Sequence, residues 1–282
     1  MDDIEFMQSE INNFAIEAFK DYQGGLNLSV PLVPRISENY LKNKVVVVGQ
    51  ETNTWYRTDN KPDTDDLQQV FLKNLSKVDK ICLEKRYDVF IKDIAGKYGG
   101  NFWRFQRMLY ERNILGGEMI ENSFLSHCWI NLFSVEACIN KKDENGRPTK
   151  NKRLGHKIIN LQGNLLFEIL RVLKPELIIF VTGNSLDSYL RQHGINDVNS
   201  RFEGLDKSGI LGVENLAEVV ISDDKHCLHG TRIIRSYHPT YFMGKINTYK
   251  KLRRKLDKIN WKGSNADYYR ETLFKVISNK KF

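Results

Sequence analysis

Glu51, Asn131 and His238 are the residues of this chain best placed by type and spacing to do chemistry. Each stands in or at the end of an apolar run. Val45 to Val48 are four β-branched residues in succession. Such a run suits a strand buried on both faces, as in a parallel sheet. Gly49 breaks it, and Gln50, Glu51, Thr52 and Asn53 follow. HCWINLFSV, residues 127–135, reads as a second buried strand with Asn131 inside it. RIIRSY, residues 232–237, reads as a strand that leads into His238-Pro239-Thr240. In open α/β sheets ligands bind just beyond the carboxyl ends of strands. A carboxylate, an amide and an imidazole there supply a fixed charge, a two-way hydrogen-bonding group and a proton carrier.

Other elements must hold those strand ends in place. DIEFMQSEINNFAIEAFK, residues 3–20, has apolar residues at helical spacing and ends at Gly24-Gly25. Residues 26–43 read as a loop with Pro31 and Pro34, then a short helix. Residues 56–67 are polar and turn-rich, and 67–98 read as helical. After Gly99-Gly100, NFWRFQRMLYERNIL forms a strongly apolar helix. A basic loop over 140–156 precedes a helix over about 158–173, which Pro175 ends. LIIFVT, residues 177–182, is a further strand, and Gly183-Asn184-Ser185 opens a helix. Residues 194–230 read as irregular, with a short strand at 218–221. The last forty residues read as helical and basic. Four buried strands alternate with helices, so the chain is expected to be a single α/β domain with a central, mostly parallel four-stranded sheet.

The 282 residues carry a net charge of +8, with 43 Lys and Arg against 35 Asp and Glu. That excess favours an acidic partner, nucleic acid first. It is also clustered. Residues 244–282 hold 12 Lys/Arg against 3 Asp/Glu, and residues 141–174 hold 9 against 3. The acidic start MDDIEFMQSE lacks the basic and apolar regions of a secretory signal. No apolar run approaches the roughly 20 residues that span a bilayer. A cytoplasmic protein without membrane association is expected. The four cysteines, Cys82, Cys128, Cys138 and Cys227, form no C-x-x-C pair, which argues against a disulfide framework, a Cys-only zinc site or an iron–sulfur cluster.

Common nucleotide enzymes fit poorly. The chain has no G-x-x-x-x-G-K-[ST] loop, no G-x-G-x-x-G after a strand and no H-x-E…P-C-x-x-C pattern. Five pieces in order instead resemble the uracil-DNA glycosylase superfamily over roughly residues 40–260. VVVVGQETN is similar to its first motif, NFWRFQRML to a helix of the mismatch-specific branch, and CWINLFSV to the strand whose Asn reads the pyrimidine. KPELIIFVTGNS resembles the strand and glycine turn before the last motif, and RSYHPTYF the final His-Pro-Ser/Thr loop.

The resemblance implies a three-layer α/β/α sandwich and hydrolysis of an N-glycosidic bond. The base leaves from a flipped pyrimidine and an abasic site remains. Cleavage builds positive charge on the sugar and negative charge on the departing base. Glu51 then stands beneath the sugar, and His238 donates to the base oxygen. Asn131 reads the pyrimidine edge, Gln50 and Asn53 line the pocket, and Trp55, Tyr56 or Phe102 forms the aromatic wall. Thr240, Tyr241, Phe242 and Met243 form the segment where relatives insert an apolar wedge into the duplex. Lys245, Lys250, Lys251, Arg253 and Arg254 hold phosphates beside it, with Lys150, Lys152 and Arg153 on another edge. The partner is DNA, the protein a monomer, and neither cofactor nor metal is needed.

Two departures matter. Glu51 replaces an Asp, and Thr52-Asn53 replaces Pro-Tyr. Strict uracil enzymes use that Tyr to block groups at C5 of the base. Asn53 implies a pocket open at C5 that admits thymine or bulkier C5-modified pyrimidines of the kind found in modified phage genomes. Base excision repair and antiviral defence are both compatible settings. Each residue also has a plainer reading: Glu51 as a cap or ion-pair partner, His238 under its turn, Asn131 satisfying backbone, the aromatics and Trp103 as core. DDKHCLHG, residues 223–230, carries metal-ligand residue types but no ligand pair at helical or C-x-x-C spacing, and reads as a polar loop. Two rival functions remain: a catalytically inactive DNA-binding module of the same fold, and a metal-dependent nuclease using Glu51, Asp223 and His238.

Overall fold

The computed structural model describes residues 2–22, 28–29, 31–51, 83–84, 87–88, 90–91, 100–111, 126–137, 148–192, 195, 200–243 and 250–279. In chain order the elements are α1 (Asp3–Phe19), α2 (Glu38–Asn43), β1 (Val45–Glu51), α3 (Asn101–Glu111), β2 (Cys128–Phe133), α4 (Lys152–Gln162), α5 (Leu165–Leu173) and β3 (Leu177–Phe180). A 3₁₀ turn at Asn184–Leu186 leads into α6 (Asp187–Gln192), then β4 (Ser200–Gly204), β5 (Leu216–Ile221), β6 (Arg232–Ser236), α7 (Thr240–Met243), α8 (Lys250–Lys258) and α9 (Asn265–Ser278).

The fold is α/β around a mixed six-stranded sheet of order β2-β1-β3-β6-β5-β4. β1 pairs parallel with β3, Val45 opposite Leu177 and Val48 opposite Phe180. β3 pairs parallel with β6, Leu177 opposite Arg232. β5 and β4 are added antiparallel. This corrects the expected four-stranded, mostly parallel sheet. Residues 194–230, expected to be largely irregular, supply both extra strands. The connection from β5 to β6 is a short run of turns, which suits antiparallel neighbours; a parallel pair needs a longer crossover. The helix expected over 158–173 is two helices, because Gly163 takes φ +53° between α4 and α5. Of the helix expected over 67–98, only residues 83–84, 87–88 and 90–91 are described, and these are helical.

The chain divides into two compact units. One gathers Met1–Ile36, Gly49–Ile91 and Trp129–Lys174; the other gathers Ser37–Val48, Lys92–Cys128 and Pro175–Phe282. In the first unit, α1 lies along α5, with Arg171 over the Phe14 ring. Gln8 and Asn12 are buried on α1 but satisfied: Gln8 donates to Pro34 O and accepts from Ile36 N–H, and Asn12 donates to Glu84. At the end of α4, Gln162 accepts from both the N–H and the hydroxyl of Ser134 and donates to Leu132 O. Those three hydrogen bonds anchor the carboxyl end of β2.

In the second unit, Val45 and Val47 of β1, Leu177 and Ile179 of β3 and Ile234 of β6 share a core with Phe105 and Leu109 of α3 and Leu273, Phe274 and Ile277 of α9. Each is apolar and alternates along its strand, as burial of one face requires. Arg235 of β6 is also buried, at 2% exposure. It donates to Glu214 O at 2.8 Å and Val213 O at 2.6 Å, lies over the Phe202 ring and pairs with Asp187 at 3.4 Å. Burial nevertheless pushes the Asp187 carboxyl up to about 6, against the pull of Arg235 and Arg191. Removing one member of a buried pair leaves the other uncompensated. Arg235→Ala is expected to cost about 3–5 kcal/mol in chemical denaturation.

His127 is buried beside Gln106 and Ser126. Its Nε2 lies 2.6 Å from Gln106 Oε1 and its Nδ1 3.2 Å from Ser126 Oγ. The amide oxygen only accepts, so Nε2 carries the proton and Nδ1 accepts from the hydroxyl. Burial pushes this imidazole down to about 4. Below pH about 6.5 the unfolded chain binds a proton that the native state refuses. Stability is therefore expected to fall by about 3 kcal/mol between pH 6.5 and 4. Urea titrations of wild type and His127→Gln across that window test this; the variant's stability should lose that share of the slope.

Candidate active site

The first group of candidate residues stands on the Gly49–Glu51 end of β1 and on Trp129–Asn131 of β2, both in the first unit. Gly49 and Glu51 share one face of β1, since side chains two apart point the same way. By the same rule Trp129 and Asn131 share a face of β2. A side chain at position 49 would collide with Asn131 Oδ1 and come within 3.3 Å of Trp129 Nε1. Glycine is thus required at 49 by close approach. The Asn131 amide lies against the backbone of β1 in the space that glycine leaves.

Asn131 is 4% exposed. Its Oδ1 accepts from the Trp129 indole N–H at 3.0 Å. Its Nδ2 is buried and has no hydrogen-bond partner among the described residues. An indole N–H only donates, so it faces the amide oxygen and fixes which way the amide points. The unsatisfied group is therefore a donor. Leaving such a group buried costs about 1–3 kcal/mol, which a ligand acceptor would recover. Trp129 is itself wedged against Phe90 and Tyr87, with ring centroids 5.6 and 6.2 Å away.

Glu51 is half-buried, and both its oxygens are engaged by one residue. Thr149 donates its N–H to Oε2 at 2.8 Å and its hydroxyl to Oε1 at 2.6 Å. Thr149 lies just before Asn151, which caps α4 by accepting from Leu154 N–H. Two donors, one to each oxygen, fix the plane of the carboxylate. Neither Thr149 nor Trp129 was expected from sequence. The signal for Trp129 was its position two residues before Asn131 on one strand; Thr149 lies 98 residues from Glu51 and gave none.

The second group belongs to the second unit. His238 follows β6 and precedes the single turn of α7. Its Nδ1 accepts from the Thr240 N–H at 3.3 Å and lies 3.0 Å from Thr240 Oγ1. An accepting Nδ1 is unprotonated, so the neutral ring carries its proton on Nε2. Phe102 of α3 stacks on the imidazole, 5.9 Å between centroids and 11° between planes. Phe102, expected as part of a wall for the base, is a platform for His238 in this structure. Tyr269 fixes the strand end that leads to His238. Its hydroxyl accepts from Tyr237 N–H at 3.0 Å, lies 3.2 Å from Ser236 Oγ and donates to Asn215 O at 2.5 Å.

The expected DNA-contacting segment is corrected in part. Phe242 and Met243 are 0% and 4% exposed. Phe242 packs between Phe105 and Tyr269, so neither side chain is presented to a duplex. Tyr241, at 41% exposure, and Thr240 are the outward members. On α8, Leu252 and Leu256 face inward. Arg253 is engaged within the chain, donating to Asp257, Gly263 O and Trp261 O. Arg254, Lys150, Lys152 and Arg153 are exposed. Gln50 is half-buried on β1, and Trp103 is core at 7% exposure. Asn53, Trp55, Tyr56 and Lys245 lie outside the described residues, and Lys250 is described only as the first residue of α8. Among the described residues no three His, Cys, Asp or Glu side chains come together to hold a metal, and no helix is long and apolar enough to cross a membrane.

Comparison with protein-family models, curated proteins and solved structures found no match. The functional reading therefore rests on the residues and their geometry.

The Gly49 contact has a direct consequence. Gly49→Ala should displace the Asn131 amide from its seat and cost about 1–3 kcal/mol, the range for overpacking. In an Asn131→Ala background the same change should cost less, because the oxygen it strikes is gone. Denaturation of the four variants of that cycle measures the coupling.

Proposed function

We propose that the chain is a monofunctional DNA glycosylase of the uracil-DNA glycosylase type, hydrolysing the N-glycosidic bond of a flipped pyrimidine. The observation that carries this reading is the buried Asn131 Nδ2, which has no hydrogen-bond partner among the described residues. It is a hydrogen-bond donor held in place with no acceptor among the described residues, on the same face as a carboxylate-bearing strand end.

The remaining groups suit the same chemistry. Glu51, its two oxygens held by Thr149, stabilises the positive charge that develops on the sugar and orients the attacking water. His238, with Nδ1 occupied by Thr240 N–H, presents Nε2–H to the oxygen of the departing base. A neutral imidazole donor stabilises that charge without first giving up its proton. The base leaves with the bond's electron pair, and water supplies hydroxide to the sugar carbon and a proton to the products. Exposed Lys150, Lys152, Arg153 and Arg254 supply phosphate contacts, and Tyr241 supplies an aromatic surface against DNA. The replacement of Pro-Tyr by Thr52-Asn53 favours a pocket open at C5. That opening extends the substrates to C5-substituted pyrimidines.

The test is base release in EDTA from duplex and single-stranded DNA carrying uracil, thymine mismatches or C5-modified pyrimidines, read as alkali-labile abasic sites. Wild type is expected to generate them. Glu51→Gln and His238→Ala are each expected to lower the rate at least 100-fold, the scale of losing one electrostatic contact to the transition state. Absence of release from every base, or backbone nicks that require Mg²⁺, would overturn the reading.

A further inference from the structure

We infer that Thr149–Arg153 is a coupling segment: Thr149 positions Glu51, and Lys150, Lys152 and Arg153 beside it grip DNA phosphates, so that DNA held here speeds the chemical step as well as tightening binding. This rests on the glycosylase reading above and extends it to the use made of the substrate's backbone.

A glutamate side chain turns about several bonds, and Glu51 is half-buried at the very end of β1. Thr149 takes both of its oxygens, through the N–H at 2.8 Å and the hydroxyl at 2.6 Å. Both donors are stiff. The N–H belongs to the backbone, and a β-branched side chain is restricted at χ1. Where the Thr149 backbone goes, the carboxylate follows. On its protein side that backbone is anchored. Pro148 is buried, with φ fixed by its ring. Asn151 accepts from Leu154 N–H at 3.2 Å through its side chain and from Gly155 N–H at 2.8 Å through its carbonyl, which seats the turn on α4. Leu154, Ile158 and Ile159 are buried beneath. The solvent side has no such anchor. Lys150, Lys152 and Arg153 are exposed, and their side chains make no hydrogen bond or ion pair with the described residues. Three cations in four successive positions form a phosphate grip. A phosphate bound there pins the segment from its open side, and the pin reaches Glu51 through Thr149. Binding energy gained away from the reacting bond then serves to hold the group beneath the sugar. Cations that only gathered DNA would leave the bond-breaking step untouched.

The experiment measures kcat and KM for base release from the best oligonucleotide substrate of the preceding assay. The variants are Thr149→Val, Thr149→Ser, a triple variant joining Lys150→Ala, Lys152→Ala and Arg153→Ala, and that triple combined with Thr149→Val. Arg254→Ala, at an exposed cation of α8 outside the segment, is the control. Thr149→Val keeps the shape and removes the hydroxyl, so kcat should fall about tenfold or more with KM unchanged. Thr149→Ser restores the donor and should recover most of that loss. The triple variant should raise KM and also lower kcat at saturating DNA by about tenfold. Arg254→Ala should raise KM alone. In the Thr149→Val background the triple change should still raise KM but take little more from kcat, because both losses run through one bond. If Thr149→Val is unstable, the triple variant and Thr149→Ser still decide the matter, since neither touches a buried side chain. A triple variant that changes KM alone, or kcat losses that simply multiply in the combined variant, would overturn the coupling. Faster release by Thr149→Val would make the contact an inhibitory one and overturn it too. Each of these outcomes leaves a working glycosylase. Absence of release from wild type on every base sinks the enzymatic reading instead, and the inference with it.

Discussion

A strand buried on both faces has no place for a polar side chain until its neighbours end. The parallel β1–β3–β6 ladder imposes this constraint on the molecule. Val45 to Val48, Leu177 to Phe180 and Ile233 to Ile234 fill it with branched and aromatic carbons. On β1 polarity returns only past Val48, the last residue paired with β3. Glu51 ends β1, and His238 follows the carboxyl end of β6. The buried charge of Arg235 within the ladder is balanced by two carbonyls, a ring face and a carboxylate.

Each candidate side chain is also restrained by a neighbour that performs no chemistry itself. Thr149 holds Glu51, Thr240 sets the tautomer of His238, and Trp129 sets the orientation of Asn131. Two of these restraints use backbone N–H groups, which carry no rotamer freedom of their own. Groups fixed before a substrate arrives need not be ordered when it does, and that is where enzymes gain much of their advantage. Phe102 extends this logic to a ring, since a stacked imidazole loses its freedom to tilt.

How much of this was legible in the sequence depended on how local the signal was. The four-valine run, LIIFV and RIIRS announced β1, β3 and β6, because burial on both faces demands unbroken apolar residues. The N-terminal helix was visible in its spacing. β4 was not: Ser200–Gly204 is an edge strand with exposed Arg201 and Glu203 and one aromatic, so hydrophobic pattern had little to report. The helix pair α4–α5 was read as one, because Gly163 breaks it by backbone conformation rather than by polarity. At the site, Glu51, Asn131 and His238 stood out by type and position. Their partners did not, since the Thr149–Glu51 bond joins residues far apart in sequence. Phe242 and Met243 were misplaced for a related reason: an apolar triplet after a turn looks the same whether it enters a core or leaves it.

The buried pair of Arg235 and Asp187 has a consequence for how the sequence can change over time. Loss of either residue strands the other, so each single step passes through a weakened intermediate. Joint replacement by apolar residues of similar volume avoids the stranded charge and is often neutral or better. The two positions, on β6 and at the start of α6, therefore form one coupled locus. Descendants of this chain should keep both residues or exchange both, and single-residue drift there should be filtered out.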